Sequence, residues 1–133
     1  MSATLASQRE RTARIARLND RARQALGLAC TAFATVGFRS LPKADQSRVR
    51  ELIETYDAFD EDSDPHGERD FGAVYQLGDG RWTTERPRSR DDERERVFWK
   101  FDYYDRDLRF GSEDAANPAI TRRVLTIMLS DEY

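Results

Sequence analysis

The chain has 133 residues, of which 38% are hydrophobic and 35% are charged, and its formal net charge is −3. A chain of this length fits one domain and buries roughly two thirds of the surface that it exposes when unfolded. The single cysteine excludes an intramolecular disulfide, and the longest uncharged stretch, residues 24–38, is too short and too polar to cross a bilayer. The arginine-rich start has no apolar signal core, so we expect a cytoplasmic protein with no membrane partner.

Charge is distributed unevenly along the chain. Residues 1–50 carry ten Lys/Arg and three Asp/Glu, a net charge of +7, whereas residues 51–133 carry twelve and twenty-two, a net charge of −10. The two parts either face partners of opposite charge or neutralise each other in the fold.

The first part of the chain is expected to form a helix, a strand and a second helix. Residues 4–26 favour a helix with an apolar stripe of Ile15, Leu18, Ala22 and Ala25, and most arginines lie off that stripe. Gly27 ends the helix, and residues 28–38 then predict a strand that finishes at Gly37, with Cys30 buried as a small hydrophobe. A second helix follows Ser40, with Pro42 in its first turn and one apolar face, formed by Val49, Leu52, Ile53, Tyr56 and Phe59.

After residue 70 the apolar period changes from helical to two. Residues 71–77 and 81–84 predict a hairpin around the turn Gly78-Asp79-Gly80. Residues 85–96 contain no apolar side chain except Pro87 and predict an exposed, mobile loop. A strand resumes at Val97 and runs to Tyr104, followed by a turn at residues 105–107.

The last element is ambiguous by period alone. Asn117 and Pro118 are typical of a helix start, although RRVLTIML is also compatible with a buried strand, and we predict a helix over residues 118–129. The predicted fold is a single α+β domain over residues 1–133, with N-terminal, middle and C-terminal helices on an antiparallel sheet of about four to five strands.

An acidic loop is the strongest candidate for a functional site. Residues 60–70 place acceptors at every second position, namely Asp60, Asp62, Asp64, His66, Glu68 and Asp70. The spacing is similar to that of a helix–loop–helix calcium site, but Pro65 stands where such a loop needs glycine and Phe71 where it needs a bidentate glutamate. A mixed His/carboxylate site for another metal is chemically possible, and a solvated acidic turn with a hydrogen-bonded His66 is the simpler interpretation.

A second candidate surface lies on the strand at residues 97–104. Val97, Trp99, Phe101 and Tyr103 are expected to face the core. The other face is expected to alternate aromatic and charged side chains, with Phe98, Lys100, Asp102 and Tyr104. Half-exposed aromatics beside fixed charges suit a protein interface, although a helix covering this face would give the same pattern.

Three separated blocks of the sequence carry a family resemblance. DSDPHGERDFG, VFWKFDYYD and FGSEDAANPAITRRVLTIMLSDEY resemble, in order and wording, small bacterial proteins grouped as domain of unknown function 3768, found largely in alphaproteobacterial genomes and plasmids. The resemblance spans most of the chain from Arg14 to Tyr133, and the family has no established activity to carry over. Residues 81–93 look like an insertion into the family's hairpin, which leaves the strand register after Gly80 open. The matching residues are Asp64, Pro65, His66, Gly67, Glu68, Asp70, Phe71, Gly72, Trp99, Lys100, Asp102, Tyr103, Tyr104 and Asp105.

These observations support two classes of function. The favoured hypothesis is a non-catalytic protein-binding module of mobile-element type whose acidic surface occupies a basic nucleic-acid enzyme, as an anti-CRISPR or anti-restriction protein would. The alternative is a metal-dependent hydrolase or nuclease with His66, Glu68 and Asp102 in its site, although the chain has no second histidine and no phosphate loop. We expect no cofactor, and direct nucleic-acid binding is disfavoured because the arginines of the first helix spread around it.

Overall fold

The computed structural model describes residues 2–28 and 30–133, with the backbone alone for residues 2–4. Its helices are α1 (Ser2–Gln24), α2 (Val36–Arg39) and α3 (Lys43–Glu54). Its strands are β1 (Thr31–Ala34), β2 (Phe71–Leu77), β3 (Trp82–Thr83), β4 (Glu93–Tyr104) and β5 (Arg122–Leu129). Short 3-10 turns occupy Arg90–Asp92 and Ser130–Glu132. The α+β class is therefore confirmed.

The strands form one five-stranded sheet in the order β1-β5-β4-β2-β3. Three of the strand pairs are antiparallel, whereas β1 runs parallel to β5, with Thr31 opposite Val124 and Ala34 opposite Ile127. The expected antiparallel sheet is thus mixed. The parallel pair is possible because residues 35–121 lie between β1 and β5, a connection long enough for a crossover.

Helices α1 and α3 cover one face of the sheet, where the core lies. The central strands supply Val74, Val97, Trp99, Leu125 and Ile127 to it, all of them buried. From the predicted stripe of α1, Ile15 and Ala22 are buried, and from α3 Val49 and Ile53 are buried. α3 ends at Glu54, before Tyr56 and Phe59, but both rings still pack edge-on against Trp99. The predicted core face of β4 is confirmed at Val97, Trp99 and Phe101.

The C-terminal helix predicted over residues 118–129 is wrong, because Arg122–Leu129 form β5. Asn117 makes a turn instead of a helix cap: its side chain accepts a hydrogen bond from the Ala119 amide, and its carbonyl accepts one from the Ile120 amide. β5 lies between β4 and β1 and is buried on both faces, with Val124 and Met128 on one side and Leu125 and Ile127 on the other. The alternative of a buried strand was the correct one, and its two-sided burial explains the absence of a period of two.

Two other boundaries also differ from the sequence prediction. The strand predicted over residues 28–38, of which residue 29 lies outside the described residues, is only Thr31–Ala34, and Gly37 lies inside α2. Thr35 begins that helix, since its hydroxyl accepts a hydrogen bond from the Phe38 amide. β4 begins at Glu93, not at Val97, because Glu93, Glu95 and Arg96 pair with β2. The predicted loop therefore reaches only to the turn at Arg90–Asp92.

Cys30 is half-buried against the core, and its thiol lies 3.7 Å from the Ala22 carbonyl oxygen. Burial raises the pKa of this thiol, which disfavours the reactive thiolate. No helix among the described residues is long and apolar enough to cross a membrane.

Candidate functional site

The acidic loop uses part of its own carboxylates to hold its shape. Asp60 Oδ1 accepts a 2.7 Å hydrogen bond from the Ser63 amide, and the Asp60 amide donates to the Ser63 hydroxyl oxygen at 3.1 Å. Both carboxylate oxygens of Asp64 lie 3.2 Å from the Arg69 amide. The bonds from Ser63 lower the pKa of Asp60, so this exposed carboxylate stays ionised. Asp60 and Asp64 therefore build the loop.

The end of the loop is fastened to α1 by a partly buried polar network. Asn19, fully buried, donates to the Glu68 carbonyl at 3.0 Å and to the Tyr103 hydroxyl at 2.7 Å. The Tyr103 hydroxyl lies 3.2 Å from the Glu68 carboxylate, and Arg123 donates to the Asn19 side-chain oxygen at 2.9 Å. Burial raises the pKa of Tyr103, so its hydroxyl remains a hydrogen-bond donor. Glu68 thus belongs to the scaffold that positions the loop.

Arg23 was missed as a structural residue by the sequence prediction. Its side chain is 2% exposed and donates to the carbonyls of Ile53 and Tyr56 at 2.9 Å, and it pairs with Asp20 at 2.6 Å. The guanidinium also lies over the rings of Phe59 and Trp99. Its spacing of four from Asn19 places both on one helix face, a signal hidden by the arginines elsewhere on α1.

Asp70 lies in the least favourable electrostatic surroundings of the loop. Desolvation raises the pKa of this half-buried carboxyl, and the charges of Glu68 and Asp64 raise it further. The ionised form of Asp70 is therefore destabilised in the fold, so the stability of the protein should depend on pH through this group.

The structure separates the predicted site residues into three groups. His66 and Glu68 lie on the side of the loop that faces α1, with exposed His66 beside Gln8, Arg9 and Thr12, and Asp64 is bound within the loop to the Arg69 amide. Lys100, Asp102 and Tyr104 lie farther along β4. Asp60, Asp62 and Phe98 come together in a groove of about 700 Å³.

This groove, called the β2 groove below, lies between the acidic loop and the segment that follows β3. Tyr56, Ala58 and Phe59 continue the loop side, Thr84, Glu85 and Arg86 form the opposite end, and Phe71, Gly72 and Ala73 form the floor. Two of the separately predicted surfaces, the acidic loop and the outer face of β4, thus meet at one place.

The outer face of the sheet, opposite the helices, carries the second predicted surface. Phe98 packs against Phe71 and Tyr133, with ring centroids 5.1 and 5.7 Å apart. Lys100 and Asp102 form an ion pair at 3.1 Å, and Lys100 Nζ lies 5.9 Å from the Tyr133 ring. Phe98, Lys100, Asp102 and Tyr104 are all partly exposed, so the face is accessible along β4, where the Lys100 and Asp102 charges are already paired.

The geometry does not favour the metal-dependent alternative. No group of three His, Cys, Asp or Glu side chains in the described part of the chain could hold a metal ion. The hydrolase hypothesis centred on His66 stays a prediction.

The architecture defines a small α+β domain in which helices cover one face of a mixed five-stranded sheet and the other face is partly exposed along β4. Residues 34–132 match the family described as a protein of unknown function, DUF3768, so the chain belongs to that family. The family predicted from the three sequence blocks is therefore confirmed. No curated protein and no solved structure matches the chain.

Proposed function

We propose that this chain is a non-catalytic protein-binding module whose partner presents a basic surface. The observation that carries the proposal is the β2 groove, where exposed Asp60 and Asp62 stand beside the half-exposed aromatic ring of Phe98. Aromatic anchors supply contact area at protein interfaces, and fixed charges at the rim supply specificity and rapid association. The groove combines both on a rigid sheet.

The class of partner follows from the charge. Carboxylates spaced along a short loop can stand in for the phosphates of a nucleic acid and engage the Lys/Arg groove of an enzyme that binds one. The proposed role is therefore inhibition of a host nucleic-acid defence enzyme, in the manner of anti-CRISPR or anti-restriction proteins, by a module of mobile-element type.

The test is a charge reversal at Asp62. Asp60 and Asp64 hold the loop together, so reversing them would also disturb its shape. The exposed Asp62 carboxylate makes none of the side-chain hydrogen bonds found in the described part of the loop, so Asp62→Lys changes charge with little effect on the fold. Asp107→Lys is the matched control. Asp107 is also exposed, but it follows the C-terminal end of β4 and is not part of the groove lining.

The measurement is inhibition of reconstituted restriction and CRISPR nucleases by wild type and both variants across a salt series. We expect wild-type inhibition to weaken steeply as salt rises, Asp62→Lys to lose about tenfold, and the control to behave as wild type. Inhibition that ignores salt and survives Asp62→Lys would contradict the acidic-surface proposal and direct attention to Phe98, Lys100, Asp102 and Tyr104.

A further inference from the structure

The floor of the β2 groove is an edge of the sheet. β3 pairs only with Tyr75 and Gln76, so the segment 71–74 of β2 has β4 as its neighbour on one side and the groove on the other. Four residues of strand span about 13 Å, enough for a short extended peptide.

Along this edge, the N–H and C=O groups of every second residue face the groove instead of β4. The Leu77 amide donates away from β4, to the Arg81 carbonyl of the hairpin, and the Ala73 amide donates to the Tyr56 hydroxyl. The Asp70 carbonyl, by contrast, accepts from the Phe101 amide of β4. Because strand residues alternate, the peptide groups of Phe71 and Ala73 face the groove.

One of the backbone groups that face the groove, the Ala73 amide, already donates a long hydrogen bond to a side chain. The Tyr56 hydroxyl lies 3.3 Å from the Ala73 amide nitrogen, longer than the usual 2.9–3.0 Å of such bonds. A backbone carbonyl of an added strand would replace this hydroxyl with a hydrogen bond of the usual length.

The walls of the groove match the two faces of an added strand. On the outer side lie Phe71 and Phe98, whose ring centroids are 5.1 Å apart, and on the helix side lie Tyr56 and Phe59, 4.9 Å apart. Alternate side chains of an extended segment would contact these two aromatic pairs in turn, as strand periodicity requires.

Charge selects the occupant. Asp60 and Asp62 lie at the loop side, and the Arg96 at the other side is already neutralised by Glu93 at 2.6 Å. Arg86 is the other arginine of the described lining, and it is next to Glu85 in the sequence. An apolar segment carrying a lysine or arginine complements this groove, and an acidic segment does not.

We propose that the exposed edge of β2 at Phe71 and Ala73 binds an extended segment of a protein partner as an added β-strand, with a lysine or arginine of that segment against Asp60 and Asp62. This inference rests on the proposed binding function and specifies its mode. Strand addition derives affinity from backbone hydrogen bonds and specificity from alternate side chains.

The test uses a displayed library of random linear dodecapeptides, panned on the wild-type protein. Enriched peptides should alternate apolar and polar residues and carry a basic residue. The best of them is then resynthesised with an N-methyl group at successive backbone positions. Methylation at alternate positions should weaken binding about tenfold, since two backbone hydrogen bonds are lost or blocked, and methylation between them should have little effect.

Two protein variants and a spectrum complete the test. Ala73→Pro removes the outward amide without removing a bond to β4, and it should abolish peptide binding. Asp62→Lys should weaken binding, with Asp107→Lys as control. Amide resonances of Phe71 and Ala73 should shift when the peptide is added. The N-methyl series uses the wild-type protein, so it tests strand addition even if the Ala73→Pro variant fails to fold.

Binding that is insensitive to N-methylation, or that shifts resonances elsewhere, would overturn strand addition and leave the binding proposal standing. A library that yields no enriched peptide would also overturn it. Failure of the binding proposal has a different signature, namely nuclease inhibition that is unchanged by Asp62→Lys and by salt.

Discussion

Arg23 joins α1 to the end of α3 from inside the fold. Its guanidinium donates to the carbonyls of Ile53 and Tyr56, and its removal would take this donor from Tyr56 and leave Ile53 with the Tyr56 amide at 3.3 Å. We expect Arg23→Met to lower the free energy of unfolding by about 2–4 kcal/mol. Arg21→Met is the matched control on the same helix, where an exposed arginine should change stability by less than about 0.5 kcal/mol. Equal denaturation midpoints for the two variants would contradict this role.

Asp70 gives the molecule a predictable pH dependence. Its pKa is raised in the fold, mainly by desolvation and then by Glu68, so the folded state binds a proton more readily than the unfolded state does. Between the unfolded value of 3.8 and the raised folded pKa, its contribution to stability therefore falls as pH rises, and the penalty is complete above the folded pKa.

Replacing Asp70 by asparagine removes this penalty. We expect Asp70→Asn to melt at a higher temperature than wild type at pH 7. The difference should shrink as pH falls through the folded pKa and vanish below the unfolded value of 3.8. Melting curves over a pH series, with exposed Asp107→Asn as control, measure it. A gain that is constant with pH would assign the effect to packing instead of ionisation.

Among the helices and strands, the sequence predicted correctly those features that depend on residues close together in the chain. The stripe of α1, the hairpin at Gly78–Gly80 and the inner face of β4 depend on neighbouring residues, and the structure contains all three. The strand β5 was predicted as a helix because Asn117 and Pro118 use the same side-chain chemistry for a turn as for a helix cap. Its pairing with β1, more than ninety positions away, has no local signal.

The same distinction applies to the site. The sequence identified the acidic loop and the outer face of β4 separately, yet only the fold brings Asp60, Asp62 and Phe98 to one groove. Asn19 and Arg123 were missed because buried polar residues are recognised by their distant partners, here 104 positions apart in sequence.

The segment between β3 and β4 is the expected site of proteolysis. Residues 85–90 are mostly exposed and charged, whereas Glu93 already belongs to the sheet. We expect trypsin to cut the folded protein first after Arg88 or Arg90, as measured by mass spectrometry of a short digest. Shortening residues 86–90 should change stability by only about 0.6 kcal/mol, because loop-closure entropy varies slowly with length. A much larger loss would show that this segment packs on the fold.

Over the whole molecule, ion pairs connect the basic first part to the acidic remainder at α1. Arg11 of the first part contacts Asp114 of the second at 3.0 Å, whereas the 2.9 Å pair of Arg69 and Asp20 joins a base of the second part to an acid of the first. The exposed Asp60 and Asp62 lie outside these pairs and remain available to a basic partner, or to a cation. Binding of a cation at this loop is therefore the property that separates the two hypotheses of function.

A metal titration makes that separation. A ligand that binds only the folded state stabilises it by about 2.7 kcal/mol at one hundred times its dissociation constant, a readily measured rise in melting temperature. Asp60, Asp64 and Glu68 already accept hydrogen bonds, and the described residues contain no group of three side chains that could hold a metal ion. We therefore expect zinc, manganese, magnesium and calcium each to leave the melting temperature unchanged. His66→Ala and Asp62→Asn are measured beside wild type. A rise with one ion that both variants abolish would contradict the structural role of the loop and favour the hydrolase centred on His66, because His66 would then be a ligand instead of an exposed side chain beside α1.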